Sequence, residues 1–254
     1  MRAGKFEENF VVVFVDKVSE QKFGEIPLDR ALFADAVERL AEAKAKAVVF
    51  KFFFDQSKKE ETDRRLGRSF TNLPVILEAC LREEPRPNVL PSRFFMVDVQ
   101  GPGSSLAARG WIPTPMILEH ANDLGFVDAS TSVIPMHEPY MGKQVKSLWL
   151  CCVEAATGQT AKIEPGRKVA FGGKSASINT DDEVTVDLPD PAKISYIPFH
   201  LILDKTAPPG AIAGKVVILG YDGPNIHDFP TKYGKVKAHR LFVACLKGFY
   251  DDLK

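Results

Sequence analysis

Asp16, Lys51, Asp55, Asp222, His227, Asp228 and His239 are the side chains whose types and positions suit the binding of a small polar or anionic molecule. Asp16 closes the apolar run 10–15, Lys51 interrupts and Asp55 follows the run 47–54, and Asp222 follows the run ending at Tyr221. Carboxylates and an imidazole at such positions orient polar groups, and an ammonium supplies charge. Lys51, set in Val48-Val49-Phe50-Lys51-Phe52, is costly to bury unless a carboxylate meets it, and Asp16 and Asp222 are the candidate partners.

The chemistry these residues exclude is as informative. No GxSxG elbow, HExxH pair or cysteine beside a histidine occurs, so no catalytic residue is assigned and the chain does not read as an enzyme. Gly172-Gly173-Lys174-Ser175 lacks the earlier glycine of a phosphate loop, because Lys168 stands there. Gly220-Tyr221-Asp222-Gly223 lacks the third glycine of a dinucleotide fingerprint, so a nicotinamide cofactor is not predicted. The five histidines are scattered, with His137 and His200 isolated, and Asp181-Asp182-Glu183 reads as a solvated hairpin tip. No metal site and no cofactor are expected.

The elements that must position the polar residues follow from periodicity. Residues 10–15 and 47–54 read as buried strands, and 29–44 as the helix between them, with Phe33, Val37 and Leu40 on one stripe. Asp35 with Arg39, and Glu42 with Lys46, have i,i+4 spacing on its polar side. Strand, helix, strand implies parallel pairing with a right-handed crossover. Ser57 to Glu60 has capping-box spacing for a helix running to about Phe70, and 74–79 reads as a third strand. Residues 82–110 are broken by proline and glycine into an irregular excursion, strand-like only over 94–99. A short helix near Pro115, strands at 125–128 and 133–141, and a buried helix over 147–157 follow. Hairpin strands fill 163–188, a helical turn 199–204, a closing strand 215–219 and a last helix 238–250.

This pattern predicts an α/β fold: a mixed, largely parallel sheet flanked by helices, as one three-layer domain over residues 1–254 with an irregular insertion at about 82–112. Parallel strands carry their ligands beyond their carboxyl ends, where the polar residues above should converge. A chain of 254 residues can bury roughly three quarters of its unfolded surface, enough for one large core. Its 33 Lys and Arg balance 33 Asp and Glu, which gives no field for nucleic acid. No run approaches the ~20 apolar residues of a membrane span, so a soluble chain without a membrane segment is expected. Its four cysteines lie in apolar contexts and fit buried, reduced thiols.

These residues, in order, resemble the type-two CHASE sensory domain of bacterial signalling proteins. The resemblance rests on Val13-Phe14-Val15-Asp16, Pro27-Leu28-Asp29-Arg30, the segment from Ala47 to Asp55 and Asp63-Arg64-Arg65-Leu66-Gly67. It continues through Leu124-Gly125-Phe126-Val127-Asp128, Ile134-Pro135-Met136, the helix at Ser147, the segment 214–223, and Gly234 to Leu246 with His239 opening the last helix. Lys51 stands where such domains usually carry an acid, and Glu25 to Leu28 replaces their tryptophan-rich helix start. The resemblance implies a non-catalytic signal-recognition module that binds a small ligand, with Lys51 supplying charge and Asp16, Asp222 and His239 orienting it. It implies an extracytoplasmic setting if the domain belongs to a membrane receptor, and a cytoplasmic one if it is free-standing. Two alternatives stay open: a ligand-free interaction domain forming a homodimer, and an α/β enzyme using Asp16, Lys51 or His239 in acid–base chemistry.

Overall fold

The apolar runs build one seven-stranded mixed sheet in the computed structural model, which describes residues 6–81, 88–97, 110–128 and 132–254. Its strands are β1 (Phe10–Val15), β2 (Ala47–Phe50), β3 (Val75–Leu81), β4 (Gly110–Trp111), β5 (Asp123–Phe126), β6 (Ile197–Pro198) and β7 (Val216–Tyr221). Their order is β6-β1-β7-β2-β3, and β3 also pairs with β4 and β5. All pairings are parallel except β3 with β4. The expected parallel relation of β1 and β2 holds, but β7, late in the chain, inserts between them.

Side chains alternate between two buried faces. Val13, Val15, Val48, Phe50, Val217 and Leu219 face α3 (Arg30–Glu42), α4 (Glu60–Ser69), α5 (Pro115–Leu118) and α7 (Phe199–Leu203). Val12, Phe14, Val49, Ile76 and Ile218 face α6 (Leu148–Thr157) and α8 (Ala238–Asp251), with the antiparallel hairpins packed beyond. The short helices α1 (Phe6–Asn9) and α2 (Lys17–Phe23) bracket β1. The helix stripe Phe33, Val37 and Leu40 is fully buried, as its spacing requires.

Local expectations gave way where tertiary charge competed. Ser57 forms no capping box: α4 starts at Glu60, and Asp63 accepts the Lys58 N–H at 2.9 Å while pairing with buried Arg30 at 2.6 Å. Asp35 pairs with Arg65 of α4 instead of Arg39, which takes Glu42 at 3.1 Å. Residues 92–94 form a single 3-10 turn and Phe95 one bridge to Val145, where a strand was expected. The rest of that strand, at 98–99, and most of the irregular insertion lie outside the described residues.

Candidate functional site

One row of residues crosses the sheet near the carboxyl ends of its strands. Phe14 stands opposite Gly220, and Glu78 opposite Gly125. The register of Leu219 with Phe50 and of Val49 with Ile76 continues to place Lys51 between Gly220 and Glu78. All project toward α6 and α8. The two glycines are where helix starts come down on the sheet. A methyl group on Gly125 would lie 2.4 Å from Leu148 Cα, and one on Gly220 would lie 3.1 Å from His239 Nδ1.

Lys51 is therefore sealed under both helices. Its ammonium pairs with Glu78, whose side chain is wholly buried, and lies 4.5 Å from the Phe242 ring centroid. The expected partners, Asp16 and Asp222, follow the ends of β1 and β7, whereas Glu78 is the residue that the β2–β3 register brings opposite. Burial raises the Glu78 pKa against the opposing pull of Lys51, with Asp128 adding to the rise. Burial and Asp128 raise Glu138 well above the ordinary carboxylate range. The Asp128 N–H donates to Glu138 Oε1 at 3.2 Å.

Asp16 and Asp222 stand side by side in register, since Val15 pairs with Tyr221. Each is engaged by groups that the sequence alone did not identify. Arg240 grips Asp222 through two bonds of 2.9 and 2.7 Å, with Lys237 at 3.4 Å. Asp16 caps α2, accepting from the Ser19 N–H at 2.9 Å and the Ser19 hydroxyl at 2.8 Å. His239 accepts the Tyr221 N–H at Nδ1 over 2.8 Å, which leaves its proton on Nε2. Burial, then the nearby Lys51 charge, hold its pKa well below the usual histidine value.

The remaining candidates are placed apart from this row. Asp55 is half-buried, and its carbonyl accepts from Asn88 at 2.7 Å. His227 and Asp228 are exposed where the hairpin before α8 begins, so they do not join the expected convergence. His137 is not isolated: buried, it bridges Gln144 at 2.8 Å and Asp182 at 3.1 Å. Asp182 is correspondingly buried, not part of a solvated tip. His200 Nδ1 lies 3.2 Å from the Ser19 hydroxyl.

Above the row, the chain leaves β1 and β2 toward the α3 and α4 face but leaves β7 toward α8 on the other. Such a divergence opens a crevice outside the strand ends. A cavity of about 350 Å³ occupies it. Phe52, Phe53 and Phe54 form its wall beyond β2, Ile26 to Leu28 its wall beyond α2, and Asn225 its edge beyond β7. Lys58 brings positive charge, its ammonium having no partner among the described residues, whereas the Arg30 guanidinium at the wall is neutralised by Asp63 at 2.6 Å. Tyr221 latches α2 to the segment after β7: its hydroxyl donates to Glu20 at 2.8 Å and accepts the Asn225 N–H at 3.1 Å. Burial and Glu20 push that hydroxyl up to about 12.

Phe52 joins this cavity to the row beneath. Its ring lines the cavity, lies 4.9 Å from Phe33 and meets His239 edge-on at 6.0 Å. The aromatic run 52–54 read in sequence as strand continuation, which hid its lining role. Alternation along the run, with Lys51 turned to the far face and Phe52 between both, was the signal available.

The cysteines Cys80, Cys151, Cys152 and Cys245 are buried thiols outside any disulfide, and burial pushes Cys245 up to about 12. Among the described residues, no group of side chains is arranged to hold a metal, and no helix is long and apolar enough to cross a membrane. Neither the curated proteins nor the solved structures compared with this chain give a match. The family model of the CHASE2 domain matches residues 1–244, nearly the whole length. The chain belongs to the CHASE2 domain family, a family of sensory domains.

Proposed function

We propose that this domain senses a small molecule with a flat apolar part and a polar or anionic group, bound in the crevice, and reports it through α8. The observation that supports this is the shared position of Phe52, one ring against the cavity and against His239 in the first turn of α8. Aromatic walls with a few polar groups are the usual make-up of a small-ligand site. Lys58 supplies its positive charge. Lys51, Asp16, Asp222 and His239 act from below, holding the strand ends and the start of α8 in one arrangement.

The far end of α8 is tied to the start of the chain. The Phe6 N–H donates to Asp251 at 2.9 Å, and Lys247 bridges Glu7 at 2.8 Å. A ligand that displaces Phe52 differs in affinity for the two positions of that ring, which is all that population shift requires. The role is non-catalytic, because Lys51 and His239 are engaged internally and turned from the cavity.

The test is a binding screen of aromatic carboxylates, read by native mass spectrometry, on the wild-type protein and on Leu28→Trp, which fills the crevice. Retention by the wild type and loss in the variant supports the reading. Retention by neither, or equally by both, refutes it.

A further inference from the structure

A second cavity lies at the opposite end of the sheet. β6 pairs with Val13 and Phe14 of β1, so among the described residues Phe10, Val11 and Val12 have no neighbouring strand on that side. The segment approaching β6 stands off from this edge, and the gap is a cavity of about 370 Å³. Phe6, Phe10 and Val12 line one side, and Ile194, Tyr196 and Ala211 the other.

Three lysines border the opening, and they are not equivalent. Lys247 is engaged by Glu7 at 2.8 Å and Asp251 at 2.9 Å. Lys193 is exposed, 3.9 Å from Asp190. Lys215 is half-buried beside the start of β7, and its ammonium has no hydrogen bond or ion pair among the described residues. A partly desolvated ammonium without a counter-charge is unfavourable, and a bound anion would remove that cost.

We infer that this cavity is a binding site for an amphipathic carboxylate, its apolar chain against Phe6, Phe10 and Val12 and its carboxylate on Lys215. The charge and the apolar depth point to the same ligand class, since a fully polar anion would leave the interior unfilled. Because Phe6 and Lys247 also tie α1 to α8, occupancy here would brace the end of α8 remote from the crevice. The inference does not depend on the crevice reading.

The experiment is isothermal titration of the intact chain with decanoate and, as neutral analogue, decanol. Wild type should bind decanoate saturably and at least tenfold more tightly than decanol. Lys215→Met should remove that preference, and Ala211→Phe, which fills the cavity, should abolish binding, with circular dichroism showing both variants folded. Leu28→Trp in the crevice should leave decanoate binding unchanged. No saturable binding by wild type, equal affinity for the two probes, or binding that survives both Lys215→Met and Ala211→Phe would overturn the inference.

Discussion

Lys51 and Glu78 stand opposite one another on adjacent parallel strands, paired and shut away from water beneath α6 and α8. Removing one member of such a pair leaves an uncompensated buried charge, whereas replacing both with apolar groups does not. Lys51→Met should cost roughly 3–5 kcal/mol. Lys51→Met with Glu78→Leu should recover most of it. Urea denaturation of the two variants checks this, and a double variant no more stable than the single one would contradict it.

Glu138 carries a pH signature. Its folded pKa is raised by burial and by Asp128, so the folded state holds the proton more tightly than the unfolded chain. Its contribution is full below the ordinary glutamate range and is lost as pH rises through the folded value. Glu78 acts in the same direction. Glu138→Gln, which keeps an acceptor for the Asp128 N–H, should therefore be more stable than wild type at pH 8 and should converge with it near pH 4. Parallel stability curves across that range would sink the assignment.

His239 has the opposite sign. Its folded pKa is depressed, so its contribution is present above the ordinary histidine value and is lost as pH falls through the folded one. Protonation also removes the acceptor for the Tyr221 N–H. Nitrogen NMR at pH 7 should show an unprotonated Nδ1 and a protonated Nε2. An imidazolium at that pH, or the reverse tautomer, would rule the arrangement out.

Gly220 and Gly125 should differ in what they tolerate. An added methyl at Gly220 meets an imidazole at 3.1 Å and a Phe14 ring at 3.2 Å, side chains that can shift. At Gly125 it meets Leu148 backbone at 2.4 Å. Gly220→Ala should cost about 1–3 kcal/mol, the usual range for overpacking, and Gly125→Ala distinctly more. Thermal melts give the order, and the reverse order would count against α6 being seated on Gly125.

Much of this molecule was legible in its sequence, for physical reasons that also explain the rest. Continuous runs such as Phe10–Val15 and Val216–Tyr221 are read directly because strands covered on both faces need apolar residues throughout. Asp16 and Asp222 could be placed together at strand ends because β1 and β7 begin in register. The partner of Lys51 could not be read, since it depends on β7 entering between β1 and β2 and on β3 lying on the far side of β2. Neither fact is encoded locally. The cavity escaped for a related reason: Phe52, Phe53 and Phe54 have strand composition, and only the divergence of the chain after β7 frees them to line a crevice. His137 and Asp182 are far apart in sequence, so their buried bond needed the fold to be seen.

The central claim is that Phe52 connects the crevice to α8. It is tested most directly by following backbone amides during titration with the tightest-binding aromatic carboxylate of the screen, in wild type and in Phe52→Ala. The account predicts that Asn225, His239 and Asp251 shift together in wild type and saturate at one concentration. In Phe52→Ala, Asn225 should still respond while His239 and Asp251 fall silent. Shifts confined to Asn225 in the wild type, or responses at Asp251 indifferent to the loss of Phe52, would contradict it.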